Sequence, residues 1–170
     1  YSDEWKLRRR LIIPSFDGDG NLNYWVARSI DKDPYIKYVN SQAPKVAIIF
    51  NEIDIDWTKP VHLVEGPLDL VKCVNLNATC LLGSSLTENS MLFYELALNN
   101  SKIILSLDPD ARKKQDKIAD LLKSYNLDVY TASPSFGDIG DMSPKEVEHL
   151  VSHPVQWNET SNLQNRIKDL

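Results

Sequence analysis

Short apolar runs alternate with helix-like segments throughout the chain from residue 61 onward. The apolar runs cover residues 61–64, 78–82, 103–107 and 127–132. Apolar residues at helical spacing or helix-start signals mark the segments 67–75, 87–99, 111–125 and the stretch from Ser143. Because parallel strands need a crossover connection, this alternation predicts an α/β fold in which a parallel sheet is flanked by helices.

The first sixty residues show a different pattern, in which two apolar runs are joined by a tight turn. Residues 11–16 and 22–30 are rich in β-branched and aromatic residues, and the Asp-Gly-Asp-Gly-Asn sequence at 17–21 predicts a β-hairpin between them. Pro14 predicts that its strand lies at a sheet edge or is bulged. The run 46–50 is ambiguous between helix and strand.

A polar, breaker-rich stretch that ends at Pro60 separates these two patterns. We therefore predict three parts. They are a small, mixed, strand-rich basic subdomain at 1–60, an α/β domain at 61–150, and a tail or the start of a further helical region at 151–170.

Composition and charge exclude some classes of protein. With 42% hydrophobic and 25% charged residues the chain suits a globular domain, and no apolar run approaches the roughly 20 residues that span a bilayer. Two cysteines are too few for a disulfide scaffold, so we expect a cytoplasmic protein. The net charge is −5, yet residues 1–46 hold eight Lys or Arg against six Asp or Glu. On charge alone, a soluble acidic protein with one basic strand is the simpler interpretation, because charge runs are usually solvated faces. The alternative is an enzyme that combines a template-binding face with a carboxylate metal site.

Carboxylates follow three of the predicted strands at their carboxyl ends. They are Glu65 and Asp69, Asp108 and Asp110, and, after a longer loop, Asp138 and Asp141. In a parallel sheet these positions meet at one edge, where clustered carboxylates repel one another unless a cation neutralises them. Mg²⁺, for which Mn²⁺ can substitute, takes oxygen ligands and suits such a group. Taken singly, Asp110 can instead cap the following helix, and Asp69 can be a solvated helix residue.

The ordered motifs around these acids resemble a known family. The signature of the Toprim domain, which topoisomerases and primases share, is similar to Glu65-Gly66-x-x-Asp69, Gly83-Ser84-Ser85-Leu86 and Asp108-x-Asp110. The third acidic motif of phage and bacterial replicative primases is similar to Asp138-Ile139-Gly140-Asp141. The basic subdomain that precedes Toprim in primases resembles Arg10-Leu11-Ile12-Ile13-Pro14, Ala27-Arg28 and Pro34-Tyr35-Ile36-Lys37-Tyr38.

The resemblance implies the catalytic core of a phage or bacterial-type replicative DNA primase, which makes short RNA primers on single-stranded DNA from ribonucleoside triphosphates. A replicative helicase is a further partner that it implies, and the location that it implies is the cytoplasm, or the host cytoplasm if a phage encodes the protein. Catalytic and metal-binding roles are implied for Glu65, Asp108 and Asp110, and further metal ligation for Asp69, Asp138 and Asp141. Contacts to nucleic acid or nucleotide are implied for Arg10, Arg28, Lys37, Gly66 and Gly83.

Some positions depart from the family pattern, and other functions stay open. Ala111-Arg112 replaces the small residue and glycine of many primases, and Gly137 stands where a basic residue is expected. A Toprim-type metal-dependent nuclease would use the same acids to activate water, although it has no need of the upstream basic segment. A non-catalytic module that binds nucleic acid or docks a helicase would carry a vestigial metal site.

Overall fold

The structure of the 170-residue chain, a computed structural model, describes residues 4–83, 86–134 and 137–158. A small antiparallel sheet comes first, and its strands in order are β1 (Arg10–Phe16), β2 (Leu22–Ser29) and β3 (Tyr38–Asn40). In the β1–β2 turn, the Asp17 carboxylate accepts hydrogen bonds from the backbone N–H groups of Asp19 and Asn21 at 3.1 and 2.8 Å. This local pairing explains why the hairpin is predictable from sequence. Pro14 lies in the edge strand β1, and the register shifts directly after Ser15.

A second sheet of five strands forms the larger layer. Its strands are β4 (Val61–Val64), β5 (Ala78–Cys80), β6 (Ile103–Ser106), β7 (Val129–Thr131) and β8 (Val155–Gln156). They lie in the order β5-β4-β6-β7-β8, and all neighbours are parallel except β7 and β8. Every residue of β4, β5 and β6 is buried, as is typical of parallel strands covered on both faces. The predicted α/β fold is confirmed.

The α-helices of the described residues are shorter than the sequence predicts. They are α1 (Pro67–Leu70), α2 (Met91–Leu98), α3 (Arg112–Ser124) and α4 (Pro144–Val151). After α1 the chain turns more tightly than a helix, because the Cys73 N–H donates to the Leu70 carbonyl three residues back. Ser143 caps α4 as its sequence predicts, since its Oγ accepts from the Glu146 N–H and its own N–H donates to the Glu146 carboxylate. None of the helices in these segments has the length and apolar character that a membrane crossing requires.

After residue 151 the structure also differs from the sequence prediction, and it resolves the ambiguous run 46–50. Where a tail or helix start is predicted after residue 151, β8 adds to the edge of β7, and the Trp157 N–H donates to the Val129 carbonyl at 2.9 Å. The open edge of β7 has backbone groups that need partners, and a helix would not satisfy them. The ambiguous run forms a short 3-10 turn at Lys45–Ala47 and then leads to the buried Ile49. Residues 159–170, and Ser84 and Ser85 of the predicted motif, lie outside the described residues.

The two sheets share one of the hydrophobic cores. Tyr24 and Phe50, whose rings meet edge to face with centroids 6.5 Å apart, pack in one cluster with Val64, Ile139 and Val147. This packing sets the small sheet beside the carboxyl ends of β4 and β6, where the predicted acids lie. The division at residue 60 stays a prediction, since this core extends across it.

Candidate metal centre and cleft

Three carboxylates meet where β4 and β6 end. Glu65 follows β4 directly, and Asp108 and Asp110 come shortly after β6. Carboxylate oxygens of the three residues lie within 4.8 Å of one another. The strands are parallel neighbours whose last residues pair in register, so the acids that follow them reach the same edge of the sheet. Asp110 does not cap α3, because the residue at the cap position is Ala111.

Asp108 also belongs to a second group of acids. Burial, followed by the charge of Asp69, raises the pKa of the Asp108 carboxyl to about 6. The charges of Asp138 and Glu65 act in the same direction, while the Ile139 N–H, which donates to Oδ1 at 3.3 Å, opposes them. The acids at the strand ends therefore form one coupled group with excess negative charge.

Asp69 lies on α1 and faces the backbone of Gly66 and of Gly140. Its Oδ2 accepts a hydrogen bond from the Gly66 N–H at 2.9 Å. Burial raises the pKa of the Asp69 carboxyl, and the nearby charges of Glu65 and Asp138 raise it further. Asp69 is thus a half-buried acid that faces other acids, which is not the environment of a solvated helix residue.

The oxygen atoms of this cluster fit a divalent cation. Glu65 Oε1 accepts from Lys114 Nζ at 3.1 Å, whereas Glu65 Oε2 is buried and has no hydrogen-bond partner among the described residues. A buried carboxylate oxygen without a partner is costly unless something neutralises it. Beside two further carboxylates, it offers the hard oxygen ligands that Mg²⁺ and Mn²⁺ prefer.

An open cleft of about 640 Å³ lies between the two sheets. The large-sheet side, which we name the acidic wall, consists of Asp69, Asp108, Asp138 and Asp141, and Gly66 also lines the cleft there. The small-sheet side, which we name the basic wall, consists of Arg28, Lys37 and Tyr38. Lys45, in the 3-10 turn that follows the small sheet, also lines the cleft. Asp108 belongs both to the acidic wall and to the three-carboxylate cluster.

Tyr38 organises the basic wall. Its hydroxyl accepts a hydrogen bond from Arg28 Nη1, and its ring lies 5.1 Å from the Arg28 guanidinium carbon and 5.9 Å from Lys37 Nζ. Neither cation forms a salt bridge to an acid of the described segments. Both charges are therefore available to an anion in the cleft.

Arg10 and Gly83, two of the predicted ligand-binding residues, are not among the residues that line this cleft. The Arg10 guanidinium donates to the backbone carbonyls of Lys6 (3.0 Å), Ile36 (2.8 Å), Lys37 (3.3 Å) and Ala27 (3.4 Å). Ile36 and Lys37 precede β3 and Arg10 begins β1, so these bonds tie the loop before β3 to β1. They also occupy the donor groups of the guanidinium. Gly83 lines a separate, smaller pocket, and among the described residues other than its chain neighbours no atom lies within 4 Å of the position a Cβ would take.

Three lysines of the site are not singled out by the sequence analysis, and Tyr38 is named there only as part of a motif. Tyr38, Lys45 and Lys72 line the cleft, and Lys114 binds Glu65. For Lys114 a signal exists, because it lies in the first turn of the predicted helix 111–125, which begins directly after Asp110. The lysines at 45 and 72 reach the cleft only through tertiary packing, and the sequence carries no comparable signal.

Comparison with known proteins gives structural matches only. No protein-family model matches the chain, and no curated protein matches it. The fold is similar to a crystal structure of the zinc-binding and RNA polymerase domains of the Aquifex aeolicus primase. The TM-score is 0.73, the identity is 23%, and the match covers 99% of this chain and 48% of that one. It is also similar to a DnaG primase catalytic domain bound to ssDNA, with a TM-score of 0.71, 19% identity, and coverage of 89% and 53%. A DNA primase domain from Pseudomonas aeruginosa matches with a TM-score of 0.69, 18% identity, and coverage of 88% and 52%. The chain therefore has the fold of a primase catalytic core and spans about half the length of these matched chains.

Proposed function

We propose that this chain is the catalytic core of a DNA primase, a template-dependent RNA polymerase that makes short RNA primers on single-stranded DNA. The observation that carries the proposal is the double position of Asp108, which belongs to the three-carboxylate cluster and lines a cleft that Arg28 and Lys37 line as well. A site for a divalent cation is thereby joined to a site for phosphates. The primase-core fold supports the same assignment.

Glu65, Asp108 and Asp110 would hold the divalent cation, which we propose is Mg²⁺, with Mn²⁺ as a substitute. When bound, such an ion neutralises phosphate oxygens and makes a primer 3′-hydroxyl a better nucleophile. The raised pKa of Asp108 supports this role, because a bound cation relieves the repulsion that contributes to it. Asp69, Asp138 and Asp141 would add negative charge and further ligands on the acidic wall.

The basic wall would bind the phosphates of the incoming nucleotide or of the template. Arg28 suits this task because its guanidinium fork can pair with two phosphate oxygens, and Tyr38 limits the directions in which it points. In the reaction, the primer 3′-oxygen forms a bond to the α-phosphorus of a ribonucleoside triphosphate, the bond to the bridging oxygen breaks, and pyrophosphate leaves. The chain would contribute orientation and charge neutralisation to this step.

Single-stranded DNA and ribonucleoside triphosphates would occupy the cleft, and the family resemblance adds a replicative helicase, a Toprim domain at 61–150, a phage or bacterial origin and a cytoplasmic location. Gly66 would let the backbone approach the nucleotide, since it lines the cleft without a side chain.

Primer extension tests the function. An end-labelled RNA primer annealed to single-stranded DNA is incubated with ribonucleotides and Mg²⁺ or Mn²⁺, and the products are separated on a denaturing gel. We expect template-directed extension that disappears in Asp108→Asn and persists in Asp120→Asn, an exposed acid of α3. Cleavage of the template without extension, again lost in Asp108→Asn, would assign a nuclease instead. A protein that binds neither Mn²⁺ nor template would overturn both assignments.

A further inference from the structure

Lys114 carries a positive charge into the three-carboxylate cluster, and the reaction proposed above does not require it. Its Nζ lies 3.1 Å from Glu65 Oε1, and only 18% of the Lys114 side chain and 34% of the Glu65 side chain are exposed. By contrast, the Arg9–Asp31 and Lys59–Asp56 pairs leave more than 40% of each side chain exposed. Pairs as exposed as these contribute little, whereas a half-buried pair is less screened by solvent.

The position of Lys114 is set by the start of α3. The neighbouring Gln115 is buried, and its Oε1 accepts hydrogen bonds from the Leu107 N–H at 3.2 Å and from the Ser133 hydroxyl at 2.9 Å. Leu107 directly precedes Asp108, so these bonds tie the first turns of α3 to the segment that carries two of the three acids. Lys114 is therefore held beside the cluster by buried contacts.

We propose that Lys114 is an internal counter-ion of the metal centre, which holds Glu65 in the metal-free protein and competes with the divalent cation for it. The inference rests on the proposed function, because it requires that Glu65, Asp108 and Asp110 bind a divalent cation. Without an ion, the ammonium group offsets part of the repulsion among the three carboxylates. With an ion, the same positive charge opposes binding and lowers the affinity for metal.

The consequence is that metal binding depends on the nucleotide. Mg²⁺ in phosphoryl-transfer sites is held by one or two carboxylates together with substrate phosphates. The negative phosphates offset the charge of Lys114, so the cation and the nucleotide bind more tightly together than separately. By linkage, removing the charge of Lys114 raises the affinity for metal alone and reduces this cooperativity.

The test measures Mn²⁺ binding to the whole chain by the electron paramagnetic resonance signal of the free ion, with no catalysis involved. In Lys114→Met, which keeps the apolar stem and removes the charge, we expect the Kd for Mn²⁺ alone to fall by about three- to tenfold. Lys114→Arg keeps the charge and should bind Mn²⁺ as the wild type does. Lys113→Met removes the same charge from an exposed neighbour and should change the Kd by less than about twofold, because exposed charges are screened.

Thermal unfolding shows whether each variant is folded and provides a second readout. Lys114→Met should unfold at a lower temperature than the wild type in EDTA, since Glu65 loses its partner, and should gain more from added Mn²⁺. With a non-hydrolysable nucleotide present, the difference in Mn²⁺ affinity between Lys114→Met and wild type should shrink.

The outcomes separate this inference from the proposed function. If Lys114→Met binds Mn²⁺ like Lys113→Met or more weakly, the counter-ion role is wrong, while loss of binding in Asp108→Asn would still support the metal centre. A raised KM for nucleotide with unchanged Mn²⁺ affinity would make Lys114 a phosphate ligand and also overturn the inference. If wild type and Lys114→Met both fail to bind Mn²⁺, the inference and the proposed metal centre are wrong together.

Discussion

The Asp69 carboxylate packs against Gly140 so closely that a Cβ on residue 140 would lie 3.2 Å from Asp69 Oδ1. On its other side, Asp69 Oδ2 accepts from the Gly66 N–H at 2.9 Å. Asp69 therefore joins the turn after β4 to the segment that carries Asp138 and Asp141. The arrangement of the acidic wall depends on this close approach, for which residue 140 must lack a side chain.

A methyl group at Gly140 tests this relationship. In Gly140→Ala, the Asp69 carboxylate must move by a few tenths of an ångström, and we expect primer extension to fall by about tenfold or more because misplaced charge weakens transition-state stabilisation. The melting temperature should change little. Gly18→Ala in the β1–β2 turn, where the nearest atom is 3.9 Å from the Cβ position, is the control and should keep full activity. Equal activity of both variants would contradict the proposed role of the contact.

The raised pKa of Asp108 predicts a gain in stability when its charge is removed. Because its folded pKa of about 6 lies above the unfolded value of 3.8, Asp108 favours the folded state below pH 4, and this contribution is lost as the pH rises to about 6. At pH 7.5 in EDTA, the free energy of unfolding of Asp108→Asn should therefore exceed that of the wild type by about 1 kcal/mol. This figure allows for the solvent screening of a partly exposed group. Chemical denaturation measures the difference. With Mn²⁺ added, the wild type should gain stability and the variant should not.

Buried His62 in β4 predicts a pH dependence of the opposite sign. Burial lowers the pKa of its imidazole from 6.5 to about 4, so the folded state favours the neutral ring. Its contribution to stability is fully present above pH 6.5 and is lost as the pH falls towards 4. In His62→Leu, the loss of stability between pH 6.5 and 4 should be smaller than in wild type by about 2 to 3 kcal/mol. Parallel unfolding curves for the two proteins over this range would show that the ring is not desolvated.

Arg28 and Arg10 should respond differently to substitution, although both lie in the small sheet. Arg28→Met should weaken binding of a fluorescent single-stranded oligonucleotide or of nucleotide by about tenfold, with a reduced salt dependence and an unchanged melting temperature. Arg10→Met should lower the free energy of unfolding by about 1 to 3 kcal/mol, because four backbone carbonyls lose a charged donor. Binding measured below its unfolding transition should stay near wild type. The reverse pattern would support the predicted role of Arg10 in binding nucleic acid or nucleotide.

Several elements could be predicted because their causes are local. The β1–β2 turn follows from the Asp17 side chain and two following N–H groups, and the start of α4 follows from the Ser143–Glu146 capping box. Helix ends were predicted less well. Residues 71–75 have suitable apolar spacing, yet the chain there makes tight turns that bring Cys73 into the core shared by the two sheets.

The alternating pattern of the sequence predicts the parallel sheet, and it places Glu65, Asp108 and Asp110 at the ends of strands. Alternating strands and helices leave one topology class, and residues that follow neighbouring parallel strands must reach the same edge. Long-range packing makes β4 and β6 neighbours and places Arg28 and Lys37 in a cleft with these acids. It also brings backbone carbonyls to Arg10 and pairs Lys114 with Glu65. These contacts join residues that are far apart in the chain and belong to different elements. Their distances depend on the packing of whole layers around Tyr24, Phe50 and Val64, which no local pattern encodes.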